Sequence, residues 1–247
     1  MRAFGKLAIV QTKLYLREPL SVFFTLILGP ALLVLFGFVF GNEPQSMFNG
    51  LGHLDISVPA YTAAIIGIAG LTTVPITVAT RRETGVLRRF AATPLKPITY
   101  FLTDMLAPFL LTLAGILLLF LLGIVVYRVR LAGHWLSMIG GLSLSTLAFF
   151  ALGYALAGVM PNARLAVVIG NVLIIPMNFL SGALIPIEVM PEGVQAVSRF
   201  LPLTYVVKLL RGLCAGAGWG AHAVDVAVLA GVLVIGMALV AGTFKWE

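Results

Sequence analysis

Charge is what this sequence most lacks. Only 10% of its 247 residues are Asp, Glu, Lys or Arg, while 60% are hydrophobic; soluble domains carry about 25% charged residues. So little charge cannot clothe a water-facing surface of this size, and composition places the chain among membrane proteins. Cysteine is represented only by Cys214, which rules out an intrachain disulfide and reads as a small apolar filler. Histidine is scarce: His53, His134 and His222 lie near the ends of apolar runs or between them, and no His, Cys, Asp or Glu group has metal-ligand spacing. A phosphate-binding loop is missing too. The motif G-x-x-x-x-G-K-[ST] needs a Gly-Lys pair; for the one pair here, Gly5-Lys6, the first glycine would have to precede residue 1. Ser137, Ser143, Ser145 and Ser181 are answered by no histidine within an apolar run and by no G-x-S-x-G turn. No catalytic site, metal site or cofactor site is expected in this chain. The net charge of +7 does not point to nucleic acid, because no basic patch is interleaved with stacking aromatics and most of the excess lies in connectors.

What is present is a series of long uncharged runs. About 20 apolar residues cross a ~30 Å hydrocarbon core as helix. Six runs suffice: Pro19 to Asn42, Ile56 to Thr80, Met105 to Tyr127, Leu131 to Ala163, Leu165 to Ile187, and Val226 to Phe244. The fourth includes loop, with His134 and Pro161-Asn162 as its limits. The first run is too long for a cleaved signal and reads as a retained helix. Six spans put both termini on one side. Eleven of the sixteen Lys and Arg fall on that side and five on the other, which makes it the cytoplasm. Within residues 1–18, Arg2, Lys6, Lys13 and Arg17 fall within about 60° on a helical wheel, opposite Phe4, Leu7, Leu14 and Tyr15. This predicts an amphipathic helix lying in the membrane interface, in contact with lipid headgroups.

Five of the basic residues crowd into one connector, RRETGVLRRFAATPLKP, residues 81 to 97. Thr84 is a candidate cap for a short helix through Ala92, which Pro94 would end. Val86, Leu87 and Phe90 would share one side of it. A helix so short is not stable alone in water, so lipid headgroups, its own helix bundle or another protein must hold it. The mixture of charge with an apolar ridge suits a partner protein.

Glu83-Thr84-Gly85-Val86-Leu87-Arg88-Arg89-Phe90, followed by Thr93-Pro94-Leu95, resembles the coupling segment of type-2 ABC transporter permeases, the membrane subunits of bacterial drug, lipid and polysaccharide exporters. Phe90 stands where that family more often has Leu. A second stretch agrees: Phe179-Leu180-Ser181-Gly182, then Pro186, Pro191 and Pro202-Leu203-Thr204-Tyr205 through Arg211. The resemblance covers essentially the whole chain. It implies an all-α, six-span permease domain with a cytoplasmic coupling helix over residues 81–94 and short re-entrant external helices over 188–222. It implies a separate ABC ATP-binding subunit carrying ATP and Mg, a second permease copy that is identical or different, and residence in the bacterial plasma membrane. By the motif match, Glu83, Thr84, Gly85, Leu87, Arg88, Arg89 and Phe90 would contact the ATPase. The function implied is efflux of a hydrophobic or amphipathic substrate, antibiotics among the candidates. The competing reading is an ion-coupled carrier that needs no ATPase.

Polar residues recur on single faces of two spans. Thr62, Thr73, Thr77 and Thr80 do so on the second, and Asn171, Asn178 and Gly182 on the fifth. An amide facing lipid is costly, so these faces should turn inward. Thr73, Thr77, Asn171, Asn178 and Ser181 are the candidates for lining a substrate path; interhelical packing is the plainer role for the same residues.

Overall fold

The computed structural model describes residues 12–13, 19–44, 52–86 and 97–243. Among them the secondary structure is helical, apart from one isolated bridge between Pro44 and Gly52. The expected interfacial helix lies outside the described residues except for Thr12 and Lys13, as do Leu87, Arg88, Arg89 and Phe90 of the expected coupling helix.

Among the described residues five helices are long and apolar enough to cross a membrane: His53–Glu83, Thr103–Tyr127, Trp135–Val159, Ala163–Leu180 and Trp219–Gly242. They match the second to sixth apolar runs. The first run departs from expectation. It forms α1 (Pro19–Leu26) and α2 (Leu28–Phe40), neither sufficient alone. Pro30 is the cause, since it has no N–H to offer the Leu26 carbonyl. Ile27 keeps right-handed helical dihedrals, and the bonds Ile27 N to Phe23 O and Ala31 N to Ile27 O, both 2.8 Å, bridge the lapse.

The second run is the centre of the bundle. It comprises α3 (His53–Ile68), a π segment (Ala69–Thr73) and α4 (Val74–Glu83). Of its most apolar stretch 83% is buried, against 22% for Trp219–Gly242. The π turn has a local cause. Pro75 cannot donate, and Val74 N reaches back five residues to Ala69 O. Small residues let two neighbours close on this widened turn. A Cβ on Gly153 would collide with the Gly70 carbonyl, and one on Gly170 would lie 2.7 Å from the Leu71 carbonyl.

Around this axis stand α5 (Pro97–Tyr127), α6 (Trp135–Val159) and α7 (Ala163–Leu180). α6 starts after His134 and stops before Pro161-Asn162, as the sequence indicates. α7 stops seven residues short of Ile187, because Ser181 and Gly182, with φ at 85°, turn the chain out of the helix. After it come α8 (Glu192–Ser198), α9 (Pro202–Cys214) and α10 (Ala223–Thr243). α9 buries Leu203, Val206, Val207, Leu209, Leu210 and Leu213 against α3, α6 and α10. The end of the bundle that carries Arg81, Arg82 and Asp104 is termed the basic end, and the opposite one the far end. At the far end Asn42 ties three pieces together: its Nδ2 donates to Asp55 Oδ1 and to the Tyr127 carbonyl, both at 3.1 Å, while its Oδ1 accepts from Leu54 N at 3.0 Å.

Overpacking at the π turn should be costly. Gly153→Leu is expected to lower the detergent unfolding midpoint by an amount equivalent to about 1–3 kcal/mol or more. Gly231→Leu, where nothing lies within 4 Å, should leave it unchanged.

Candidate functional site: a charged anchor and an apolar cavity

Three consecutive residues close the central helix at the basic end, and each is bonded to a different element. The Arg81 guanidinium pairs with the Asp104 carboxylate of α5; the two residues are 7% and 3% exposed. Tyr154 of α6 donates its hydroxyl to the other Asp104 oxygen at 3.0 Å. Arg82 turns to the end of α6, where Nη1 and Nη2 donate to the carbonyls of Met160 and Ala157 at 2.8 and 3.1 Å. Those carbonyls belong to the last helical turn, where a cation also meets the negative end of the helix dipole. Glu83 turns to the start of α7 and accepts from Ala163 N at 3.0 Å. Asn162 caps the same helix, accepting from Leu165 N at 2.8 Å. Ion pairs so deep are not expected from runs read as uncharged cores with Asp104 at a boundary; the long reach of Arg81 from the end of its helix brings them there.

Just beyond, the chain turns. The Thr84 hydroxyl donates backwards to the Thr80 and Arg81 carbonyls, at 2.9 and 3.3 Å. It thus finishes the preceding helix instead of starting the next. Gly85, with φ at 72°, makes the turn, and Val86 is helical again. Glycine tolerates this left-handed conformation as other residues do not.

Farther into the bundle lies a cavity of about 470 Å³ between α2, the central helix and α7. Its walls are mostly aliphatic, and its polar groups are Thr72, Thr73, Asn171 and Asn178. The amide oxygen of Asn178 and the hydroxyl of Thr72 are buried without a hydrogen-bond partner. The candidates separate accordingly. Thr73, Asn171 and Asn178 come together at the cavity. Thr77 faces the small cleft of Arg81, Asp104 and Tyr154. Thr62 bonds back to Val58 O at 2.9 Å, and Ser181 is buried beyond the cavity with its hydroxyl unpartnered. Thr72 was missed because α-helical spacing excludes it from the threonine face; the π turn brings both threonines to one wall. Among the described residues no group of three or more His, Cys, Asp and Glu could hold a metal ion.

At the far end, Arg211 of α9 donates from Nη2 to the Gly182 carbonyl at 3.2 Å, with Nη1 3.2 Å from Glu188 Oε1. Burial pulls its pKa below the usual arginine value, and Glu188 partly restores it. Burial pushes the Cys214 thiol up to about 12.

A family model for the ABC-2 type transporter matches residues 2–214. The chain belongs to that family and is a multi-pass membrane protein. It is 27% identical over 205 residues to a transport permease, YvfS, from Bacillus subtilis (strain 168), covering 82% of this chain and 81% of that one. It is 33% identical over 81 residues to Nodulation protein J from Rhizobium leguminosarum bv. viciae, covering 32% of this chain and 31% of the relative. A further match, 31% identical over 87 residues, is to Nodulation protein J from Rhizobium meliloti (strain 1021), covering 34% of this chain and 33% of the relative.

Removing one member of a buried pair strands the other. Asp104→Ala or Arg81→Ala should each cost about 3–5 kcal/mol of stability, while Arg81→Met with Asp104→Leu should come close to the parent; unfolding of the parent and the three variants in detergent measures the differences. At pH 8 a thiol with a pKa of about 12 is ionised in about one molecule in ten thousand. Cys214 should therefore resist maleimide in the folded protein and react on denaturation.

Proposed function

We propose that the chain is the membrane-spanning permease subunit of an ATP-driven exporter, moving a hydrophobic or amphipathic substrate out across the bacterial plasma membrane. The observation that carries this reading is the anchoring of residues 81–83. The segment that resembles a coupling helix turns at Gly85, directly after three side chains bonded to α5, to the end of α6 and to the start of α7. Force applied to residues 84–94 thus has a short bonded route to three helices. A separate ABC ATP-binding subunit supplies that force and holds ATP and Mg. Glu83, Thr84, Gly85, Leu87, Arg88, Arg89 and Phe90 remain its candidate contacts, with Glu83 already holding one bond inside the chain. In this reading α1 and α2 together form a kinked first span, so the spans number six. The basic end and both termini face the cytoplasm, following the excess of Lys and Arg there. The stretch from Glu188 to His222 is external, with α9 re-entering the outer leaflet. A second permease copy completes the pathway. The apolar outer face of α7, where Val168 and Val172 are 51% and 66% exposed, is available to it.

The cavity gives the reading its substrate class. Aliphatic walls with two amides and two hydroxyls suit an uncharged or amphipathic molecule with a few hydrogen-bonding groups. A lipid, a lipid-linked glycan and an amphipathic drug share that chemistry.

An ion-coupled carrier would put an ionisable group to work in the membrane, and Arg81–Asp104 is such a pair. Its bonding argues for anchorage: both Asp104 oxygens are engaged, and neither residue lines the cavity.

Arg88→Glu and Leu87→Asp should each weaken co-purification with the ATP-binding subunit and reduce export. Asn171→Leu with Asn178→Leu should preserve assembly and reduce export about tenfold or more, as a lost polar site does in discrimination between substrates. Uphill transport by the isolated chain in vesicles would overturn the reading.

A further inference from the structure

α7 walls one side of the cavity, and a single charged side chain from another element grips it at each end. At the basic end this is Glu83, whose carboxylate accepts from Ala163 N, the first residue of α7. At the far end it is Arg211, whose guanidinium donates to the carbonyl of Gly182, two residues past Leu180. A carboxylate at the start of a helix and a guanidinium beyond its finish both complement the helix dipole. Between these grips α7 is lightly held, with 28% of its apolar stretch buried.

The two grips differ in what they are built on. Glu83 stands two residues before Gly85, at the root of the segment on which a partner would act. Arg211 stands on α9, which is packed into the core. The far grip is also incompletely made: Arg211 Nε and the neighbouring Ser181 hydroxyl are buried without partners. Buried polar groups are ordinarily satisfied, so this end is not at its bonding optimum in the present arrangement. A helix of 18 residues is about 27 Å long. A small displacement of either end swings Asn171 and Asn178 relative to Thr72 and Thr73.

We infer that Glu83 and Arg211 are positioning residues, two latches on the ends of α7 whose separate release opens the cavity toward the basic side or the far side. The inference rests on the proposed function in taking α7 as a wall of the route, but it is read by accessibility, not by transport. Failure of the latches therefore leaves the export and co-purification assays standing, and failure of those assays leaves this one readable.

The experiment uses the full chain in membrane vesicles of both orientations. Cys214→Ala removes the native thiol, and Thr73→Cys places a reporter on the cavity wall. A membrane-impermeant maleimide is the probe. Glu83→Ala should raise labelling severalfold from the basic side only, and Arg211→Ala severalfold from the far side only. Glu83→Gln and Arg211→Lys each retain a bonding group and should label near the parent's level. Ala163→Pro supplies an independent test of the first latch. It deletes the N–H that Glu83 accepts while the helix persists, because proline suits the first helical position and Asn162 is already extended, at φ −151° and ψ 162°. It should behave as Glu83→Ala does. If Arg211→Ala does not fold, Glu188→Ala frees one arm of the same guanidinium and should give a smaller far-side rise. Unchanged labelling, or a rise from both sides at once as general loosening would give, overturns the inference.

Discussion

A charge inside an apolar bundle must be paired, and this requirement organises the basic end of the molecule. Removing an ion from water costs several kcal/mol unless an opposite charge and well-aimed hydrogen bonds replace the solvent. Arg81 meets that requirement with Asp104, and it, Arg82 and the exposed Glu83 bond in three directions at once. One finds a carboxylate on α5, one finds the open carbonyls of α6, and one finds the first amide of α7. Each partner also completes a need of its own, since helix ends leave carbonyls and amides unbonded. The outcome is a junction in which four helices share a few bonds, directly before the turn at Gly85.

The rest of the bundle can be understood as what lets that junction act on a cavity. The π turn at Ala69–Thr73 breaks the regular register of the central helix at the cavity itself. It turns Thr72 and Thr73 together toward Asn171 and Asn178. Glycines on both sides, Gly70 with Gly153 and Gly170 beside Leu71, allow backbones to approach closely there, as small residues do in membrane helix contacts. A single element, buried more deeply than its neighbours, thus joins a charged base to a polar wall.

Much of this was legible in the sequence, for physical reasons. Uncharged runs longer than the bilayer is thick must be helices, because lipid satisfies no backbone group, and the second to sixth runs behaved accordingly. The asparagines of α7 were visible as a face because that helix keeps its 3.6-residue period. Three features were hidden. Pro30 was visible, but its effect depends on whether neighbouring bonds hold the helix together across Ile27. The π turn changes register with no strong sequence signature, which is why Thr72 was overlooked and Thr77 was grouped with the cavity. Arg81 and Asp104 looked like boundary charges, since their meeting depends on how the second and third spans cross. The Ser181-Gly182 pair gave the end of α7, yet the apolar run past it suggested a longer helix.

The central claim is that the charged junction carries force from the coupling segment into the bundle. It is tested most directly by the ratio of substrate exported to ATP hydrolysed, in vesicles holding the chain with its ATP-binding subunit. Arg82→Ala releases the end of α6 without touching the cavity or the segment beyond Gly85. The account predicts that hydrolysis and assembly persist while the ratio falls. An unchanged ratio would contradict it.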